Sequence, residues 1–328
     1  MRLNIGGTIR KQKGLSQALR DYPLATSKIM GYTTCMKTKA PTLRQFMDRF
    51  PNEETCLAHL MLMRFGARHA CDKCGKDAKF YRVKARRSFA CEWCGAQVYP
   101  TANTPFDRTR TSLRDWFHVM FLFTTSRNGV AAKEVERQIG VTYKTAWRMC
   151  HEIRKYMAII DGDEPIGGFL RTVEVDETYI GGEAKGMGTG YKGNKTAVMA
   201  MLERNGNVIS KVIPDRRRST LQGAITSNVK PHTFLHTDEF VSYDGIELTG
   251  KFYEHHTVNH SKGEYVRGRI TTKGVEGFWS QLKRGIKGTH IHVSAKHLQK
   301  YLGEFEFRHN RRQFPHLMLD ELMTGFVR

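Results

Sequence analysis

Residues 171–182 read RTVEVDETYIGG. Val173 and Val175 alternate with Glu174 and Asp176, the two-residue period of a strand, so a strand is expected over Thr172–Asp176. Tyr179, Ile180, Gly181 and Gly182 mark a turn directly after it. Glu174, Asp176 and Glu177 put three acids in four positions, which is costly in a strand entering a core, because a buried carboxylate needs a cation or a hydrogen-bonded partner. A strand that delivers an aspartate to its own C-terminal end, just before a glycine turn, suits a divalent metal. A solvated edge strand with ordinary surface acids is the competing reading, and the rest of the chain has to decide between them.

Two more strands are expected at Thr196–Glu203 and Val208–Pro214, joined by the hairpin signal Asn205-Gly206. A helix follows over Leu221–Val229. Then Thr233–Asp238, TFLHTD, is a second strand that ends on an acid, with 61 residues between Asp176 and Asp238. A Tyr243-Asp244-Gly245 turn and a basic, His-rich loop, His255–Arg269, lead to a helix over Lys273–Ile286. On that helix Val275, Phe278, Trp279 and Leu282 form the buried stripe. Glu276, Ser280 and Lys283 share the adjacent one, and 37 residues separate Asp238 from Glu276. Two strand aspartates and a helix glutamate suit a mixed sheet with flanking helices in which the three carboxylates meet at the strand ends. Such a set can hold two Mg²⁺ (or Mn²⁺) ions ~3.5–4 Å apart, which clamp the attacking and leaving oxygens of a phosphodiester. Lys283, two turns after Glu276, is placed to meet a phosphate as a point charge; a solvated helix lysine is the plainer reading. Strand alternation should turn Glu177 and Glu239 away from the cluster.

The 328 residues allow two or three domains. The net charge of +21 and pI near 9.8 make a polyanion, nucleic acid first, the expected partner. An anionic membrane is disfavoured, since the longest apolar run, Phe117–Phe123, is broken by His118 and is too short to span a bilayer. Met1–Arg20 lacks the apolar segment of a secretory signal. Of seven cysteines, four stand as Cys71-Asp-Lys-Cys74 and Cys91-Glu-Trp-Cys94 with sixteen residues between the pairs, the spacing of a zinc ribbon with one structural Zn²⁺. A redox pair or a disulfide fits two copies less well. Gly75 and Gly95 relieve the turn after each pair. Between the pairs runs a basic hairpin with Arg86 and Arg87. Cys35, Cys56 and Cys150 read as plain buried or free thiols.

The remaining segments organise around these. Residues 1–40 are a basic arm, or an upstream extension ahead of a start at Met30 or Met36. Residues 41–66 form amphipathic helices broken at Pro51, 67–104 the ribbon, and 105–160 a helical region. Within it, Val130–Ile139, Gly140-Val141 and Thr142–Tyr156 have the order of a helix-turn-helix, directing Tyr143, Lys144 and Arg148 to a groove and Trp147 and Ile153 inward. An ordinary helical hairpin stays open as the alternative. Residues 161–168, DGDEPIGG, are a linker; 169–315 form the acid-bearing domain and 316–328 a tail. Phe305–Arg312, FEFRHNRR, is expected to pack with an exposed basic face.

The stretches EVDETYIGGE, HTDEFVSYDGI, VNHSKGEYVRG and VEGFWSQLKRGIKGTHIHVSAKHLQKYLGEFEFRHNRR, with the two CxxC pairs, together resemble a family of bacterial insertion-sequence transposases related to the eukaryotic Merlin elements. The resemblance covers Thr42–Arg312. It implies an α/β chain in which an RNase H-like, retroviral integrase-type catalytic domain follows a zinc ribbon and a helix-turn-helix. It implies that Asp176, Asp238 and Glu276 are the acidic triad, with Lys283 the lysine the family adds after the third acid. Where many relatives have His-Thr-Asn before the Val-Glu segment, this chain reads Ile270-Thr271-Thr272-Lys273, which puts a lysine near the triad with a bearing on metal or DNA-end binding. The implied activity is metal-dependent cleavage and strand transfer at terminal inverted repeats. Double-stranded DNA at element ends and target would be the partner, with a homodimer or larger assembly in the bacterial cytoplasm at the nucleoid. A non-catalytic DNA-binding regulator and a nuclease that cuts without joining are the rivals.

Overall fold

The computed structural model describes residues 39–162, 164–181, 195–259, 262–264 and 266–327; the arm to residue 38 with Cys35, Asp163 of the linker and Gly182 of the expected turn lie outside them. Helices α1 (Leu43–Arg49) and α2 (Glu53–Phe65) start where side chains accept orphan backbone N–H groups: Thr42 from Gln45, Asn52 from Thr55. Five short strands follow, β1 (His69–Ala70), β2 (Asp77–Ala78), β3 (Phe80–Val83), β4 (Ser88–Cys91) and β5 (Gln97–Val98). They pair antiparallel as β1–β2 and β3–β4–β5. Helix α3 (Leu113–Thr125) is capped by Ser112. Then α4 (Ala132–Ile139) turns through left-handed Gly140 (φ 68°) into α5 (Tyr143–Asp161), capped by Thr142.

The second half builds one main sheet and two small strand pairs. β6 (Ile166–Gly167) pairs parallel with β10 (Val229–Lys230) beside it. The main sheet contains β7 (Thr172–Ile180), β8 (Thr196–Glu203), β9 (Val208–Val212), β11 (Phe234–Asp238) and β12 (Glu254–Val258), in the order β12-β11-β7-β8-β9. β7, β11 and β12 are mutually parallel, whereas β8 runs antiparallel to both β7 and β9. Helix α6 (Arg218–Asn228) lies on one face with Val173, Val175 and Leu235. After the small ribbon β13 (Val266–Arg267)–β14 (Ile270–Thr271), α7 (Lys273–Gly285) and α8 (Ala295–Asn310) cover the other face with Val198, Ala200 and Leu202. Along β8, Met199 and Met201 join the α6 side while Val198 and Ala200 join the α7 side, so both faces are buried and the strand is apolar from Ala197 to Leu202.

Edge strand β9 is closed by side chains of α8. Gln299 accepts from Val212 N–H, Glu306 from Ser210 N–H, and Asn310 from Val208 N–H while donating back to Val208 C=O. The same helix packs against α5. Its Phe307 enters a third core shared by α1, α2, α3 and α5, together with Met318, Leu322 and Phe326 of the last helix, α9 (Met318–Val327).

Three expectations change. β7 does not stop at Asp176 but continues through Tyr179 and Ile180, because Thr178, Tyr179 and Ile180 find partners in Val198, Ala197 and Thr196. The start of the His-rich stretch is strand β12, not loop: Thr257 and Val258 extend the sheet beside Thr237 and Asp238. Residues 318–327 are a buried helix rather than a loose tail.

Candidate functional site

Sheet register brings the acids together. β7 and β11 pair Leu235 with Val173 and His236 with Glu174, so two residues on Asp238 comes beside Asp176, on the face covered by α7. Asp176 is thus delivered from mid-strand at the centre of the sheet, not from a strand end. The odd residues of β7 point to the α6 side: Glu177 is buried there, accepting from Arg216 Nε (2.7 Å) and from the Tyr243 hydroxyl. It faces away from the cluster, as alternation requires.

The third acid arrives by a device that sequence reasoning missed. Glu174, on the same face as Asp176, is 2% exposed, and its Oε2 accepts the first N–H groups of α7, from Gly274 (2.7 Å) and Val275 (3.1 Å). Its Oε1 accepts from Arg204 Nη2 (2.8 Å) and Nε (3.2 Å). A carboxylate at a helix N-terminus is favoured by both the orphan N–H groups and the dipole. Gly274 permits the approach, since a Cβ there would lie 2.7 Å from Glu174 Oε2. Docked in this way, α7 presents Glu276, whose Oε1 accepts from Thr272 Oγ1 (2.8 Å). The available signal was spacing: Glu174 and Asp176 are two apart on a strand and so share a face.

Asp176, Thr178, Glu276, Trp279, Ser280, Lys283, Arg284 and Lys287 line one cavity of about 590 Å³. Burial, then the charges of Glu177, Asp238 and Glu276, push the Asp176 carboxyl up to about 7. Asp238 is raised as well, mainly by burial, with the Phe240 N–H (3.1 Å) opposing. Burial lowers Lys283 against the attraction of Asp176. The expected Glu276–Ser280–Lys283 stripe therefore does face the strand aspartate. Among the described residues, however, only the four ribbon cysteines bring three or more ligand atoms within 4.8 Å of one another. The carboxylates share a face, and Asp176 feels the charges of Asp238 and Glu276, without the three closing on a single point.

In the ribbon, Cys71, Cys74, Cys91 and Cys94 do converge, with Sγ–Sγ distances of 3.6 Å (Cys71–Cys94) and 3.9 Å (Cys74–Cys91). A tetrahedral ion with Zn–S ~2.3 Å requires edges of about 3.8 Å, so the four sulfurs fit zinc. The two knuckles are built alike. Gly75 and Gly95, both at φ 69°, donate N–H to the Cys71 and Cys91 carbonyls. N–H groups of Cys74 and Lys73 lower the Cys71 thiol, while burial and the neighbouring thiols raise that of Cys94, the behaviour of sulfurs that share one site.

Of the expected contact residues, Tyr143, Lys144 and Arg148 are exposed on the first turns of α5, while Ile153 is buried. Trp147 is 37% exposed rather than inward, its ring 3.8 Å from that of His151. Arg86 is exposed at the hairpin tip; Arg87 is tied to Glu53 at 2.9 Å and so helps dock the ribbon on α2. Lys273 is exposed at the first position of α7. Arg308 in FEFRHNRR is buried and Arg312 exposed, so the basic face of that segment is narrower than expected. No helix among the described residues is long and apolar enough to cross a membrane.

A mixed sheet bearing aspartates on adjacent strands, a helix glutamate docked beside them and a four-cysteine ribbon ahead of them defines a chain of the transposase class. Residues 166–310 match the ISXO2-like transposase domain and residues 51–97 the transposase zinc-ribbon domain. The chain belongs to the insertion-sequence transposases that carry an N-terminal zinc ribbon. It is similar to an uncharacterized protein in transposable element ISH50 of Halobacterium salinarum, 26% identical over 246 residues, which cover 70% of this chain and 79% of the relative. It is also similar to an uncharacterized transposase-like protein of Haemophilus influenzae, 29% identical over 120 residues, 36% of this chain and 94% of the relative.

Proposed function

We propose that Asp176, Asp238 and Glu276 form the active site of a DDE-type DNA transposase on an RNase H-like domain, which binds the terminal inverted repeats of its element, cleaves there and transfers the strand. The observation that carries this reading is that β7, β11 and α7 bring three carboxylates to one sheet face, where burial first, and then the charges of Glu177, Asp238 and Glu276, raise Asp176. The strand order β12-β11-β7-β8-β9, with β8 and β9 antiparallel, supports the RNase H-like assignment.

Asp176, Asp238 and Glu276 would hold two Mg²⁺ or Mn²⁺ ions. Bound there, the ions supply Lewis acidity at the scissile phosphodiester and a lowered pKa for water. The chain's own part is to orient. Glu174 fixes α7 and with it Glu276, Lys283 and Lys287 present point charges to phosphate oxygens, and Trp279 with Thr178 walls the cavity. The nucleophiles are water and then the freed 3′-hydroxyl, so no Ser or Cys is needed. The ribbon (67–104) and the helix-turn-helix (105–160), with Arg86, Tyr143, Lys144 and Arg148 exposed, would grip the element end, Arg87 docking the ribbon and Lys273 standing near the cleaved strand. Because two ends are handled together, a homodimer or larger assembly is the working form, acting at the nucleoid.

The test mixes zinc-loaded full-length protein with a labelled element-end duplex and supercoiled target, with Mg²⁺ or EDTA, beside Asp238→Ala. Joined product that requires both Mg²⁺ and Asp238 supports the reading. Cutting without joining would make the protein a nuclease, and tight, salt-sensitive binding without either reaction would make it a regulator.

A further inference from the structure

Between the end of α3, α7 and α8 lies a second cavity, of about 810 Å³, whose charged lining among the described residues is all basic: Arg127, Arg284, Arg308 and Arg312. Arg308 is only 8% exposed. One of its nitrogens, Nη1, donates to Glu304, while Nε and Nη2 have no hydrogen-bond partner among the described residues. Glu304 is itself fully buried and also accepts from Arg154 Nε at 2.7 Å, Arg154 being 1% exposed. One carboxylate therefore answers two buried guanidinium ions, and a positive charge is left over in the interior. Arg154 is otherwise satisfied by the Val130 carbonyl at 2.8 Å and the Tyr301 ring at 4.1 Å; Arg308 has the Phe305 ring at 4.6 Å but, among the described residues, no second hydrogen-bond acceptor, and is the under-compensated partner. A buried, partly unpaired cation is costly unless an anion completes it.

We propose that this cavity binds one backbone phosphate of the DNA strand worked on by the acidic face, with Arg308 as the buried anchor and Arg127, Arg284 and Arg312 around it. The proposal rests on the transposase reading above and names a contact which that reading does not contain. Arg284 lines both cavities, so the two are neighbours along α7. Glu276 and Arg284 are eight residues apart on one helix, about 12 Å along its axis at 1.5 Å per residue. A strand running along α7 would cover that separation in roughly three or four nucleotides, at 3.4 Å of duplex axis per strand charge. Guanidinium groups suit the site because their fork matches phosphate oxygens and they remain charged at any working pH. The site would hold the strand in register for cleavage rather than take part in it.

The experiment compares wild type, an Arg127→Ala/Arg312→Ala double variant on the exposed rim, and Arg308→Lys, which keeps the buried charge. Element-end duplexes carry a single neutral methylphosphonate at each position in turn near the cleavage point. Binding is read across a salt series, and Mg²⁺-dependent cleavage by wild type is read in parallel. For the double variant the slope of log K against log salt should fall by about 0.9, the value for one phosphate contact. At one position, three or four nucleotides from the cleaved bond, the methylphosphonate should weaken wild type about tenfold and both variants by distinctly less. If wild type cleaves but every methylphosphonate weakens variants and wild type equally, the pocket assignment is wrong and the transposase reading stands. If the non-additive position appears without cleavage, the pocket stands and the catalytic reading falls. Failure of wild type to bind the duplex would remove both.

Discussion

Glu174→Gln offers the sharpest test of how the site is assembled. The carboxylate is 2% exposed, accepts two N–H groups from the first turn of α7 and pairs with Arg204 at 2.8 Å. A glutamine can direct its one carbonyl oxygen at Gly274 and Val275, but its NH₂ then points at the Arg204 guanidinium, donor against donor. Losing a charge-assisted hydrogen bond is worth ~1.5–3 kcal/mol, and Arg204, about a third exposed, recovers part of that in water. Losing the negative charge at the helix N-terminus adds ~0.3–1 kcal/mol. The expected loss is therefore about 2–3 kcal/mol, measured as a lower midpoint at unchanged m-value in urea. Because Glu276 lies in the same first turn, Mg²⁺-dependent cleavage should fall at least tenfold at a temperature where the variant remains folded, with DNA affinity held. Glu174→Asp, which keeps the charge on a shorter stem, should recover part of both losses. A Glu174→Gln protein within 0.5 kcal/mol of wild type and with full cleavage would refute the argument that this carboxylate docks α7.

Three further outcomes are expected. With its carboxyl raised to about 7, Asp176 is protonated in the metal-free fold up to near that pH, whereas in the unfolded chain it ionises near ~4. Its contribution to stability thus falls as pH rises from about 4 through 7. Mg²⁺ should raise the thermal midpoint clearly at about pH 8 and little at about pH 5.5, and equal shifts at both would contradict the coupling. Gly303→Ala should destabilise by roughly 1–2 kcal/mol in spite of alanine's better helix propensity, because the added Cβ would lie 2.5 Å from that of Ala158 where α8 crosses α5; a higher midpoint in a denaturant melt would disprove it. Purified protein should carry close to one zinc per chain and, exchanged into Co²⁺, show thiolate charge-transfer bands that Cys74→Ser weakens. Absence of such bands would exclude the ribbon as a metal site.

The parts of this protein legible in its sequence are those whose physics is local. Cysteine pairs with a glycine after each specify knuckles, since turn and ligand geometry need only five residues; Sγ–Sγ distances of 3.6 and 3.9 Å agree. The α7 stripe of Val275, Phe278, Trp279 and Leu282 follows from helical period alone and is buried in the structure. Periodicity likewise separates Asp176 from Glu177 across the sheet. What the sequence could not contain is anything settled by which strand lies next to which. The length of β7 depends on Thr196, Ala197 and Val198 being available as partners, and β12 is a strand because β11 offers it an edge. Glu174 reads as one more surface acid until Arg204 and the start of α7, 30 and 100 residues away, are set against it. Arg308 reads as a surface base until α5 and α8 pack and leave it sharing Glu304 with Arg154. Side-chain period is a property of the chain and can be read from it. Burial and charge compensation depend on neighbours that only the folded arrangement supplies.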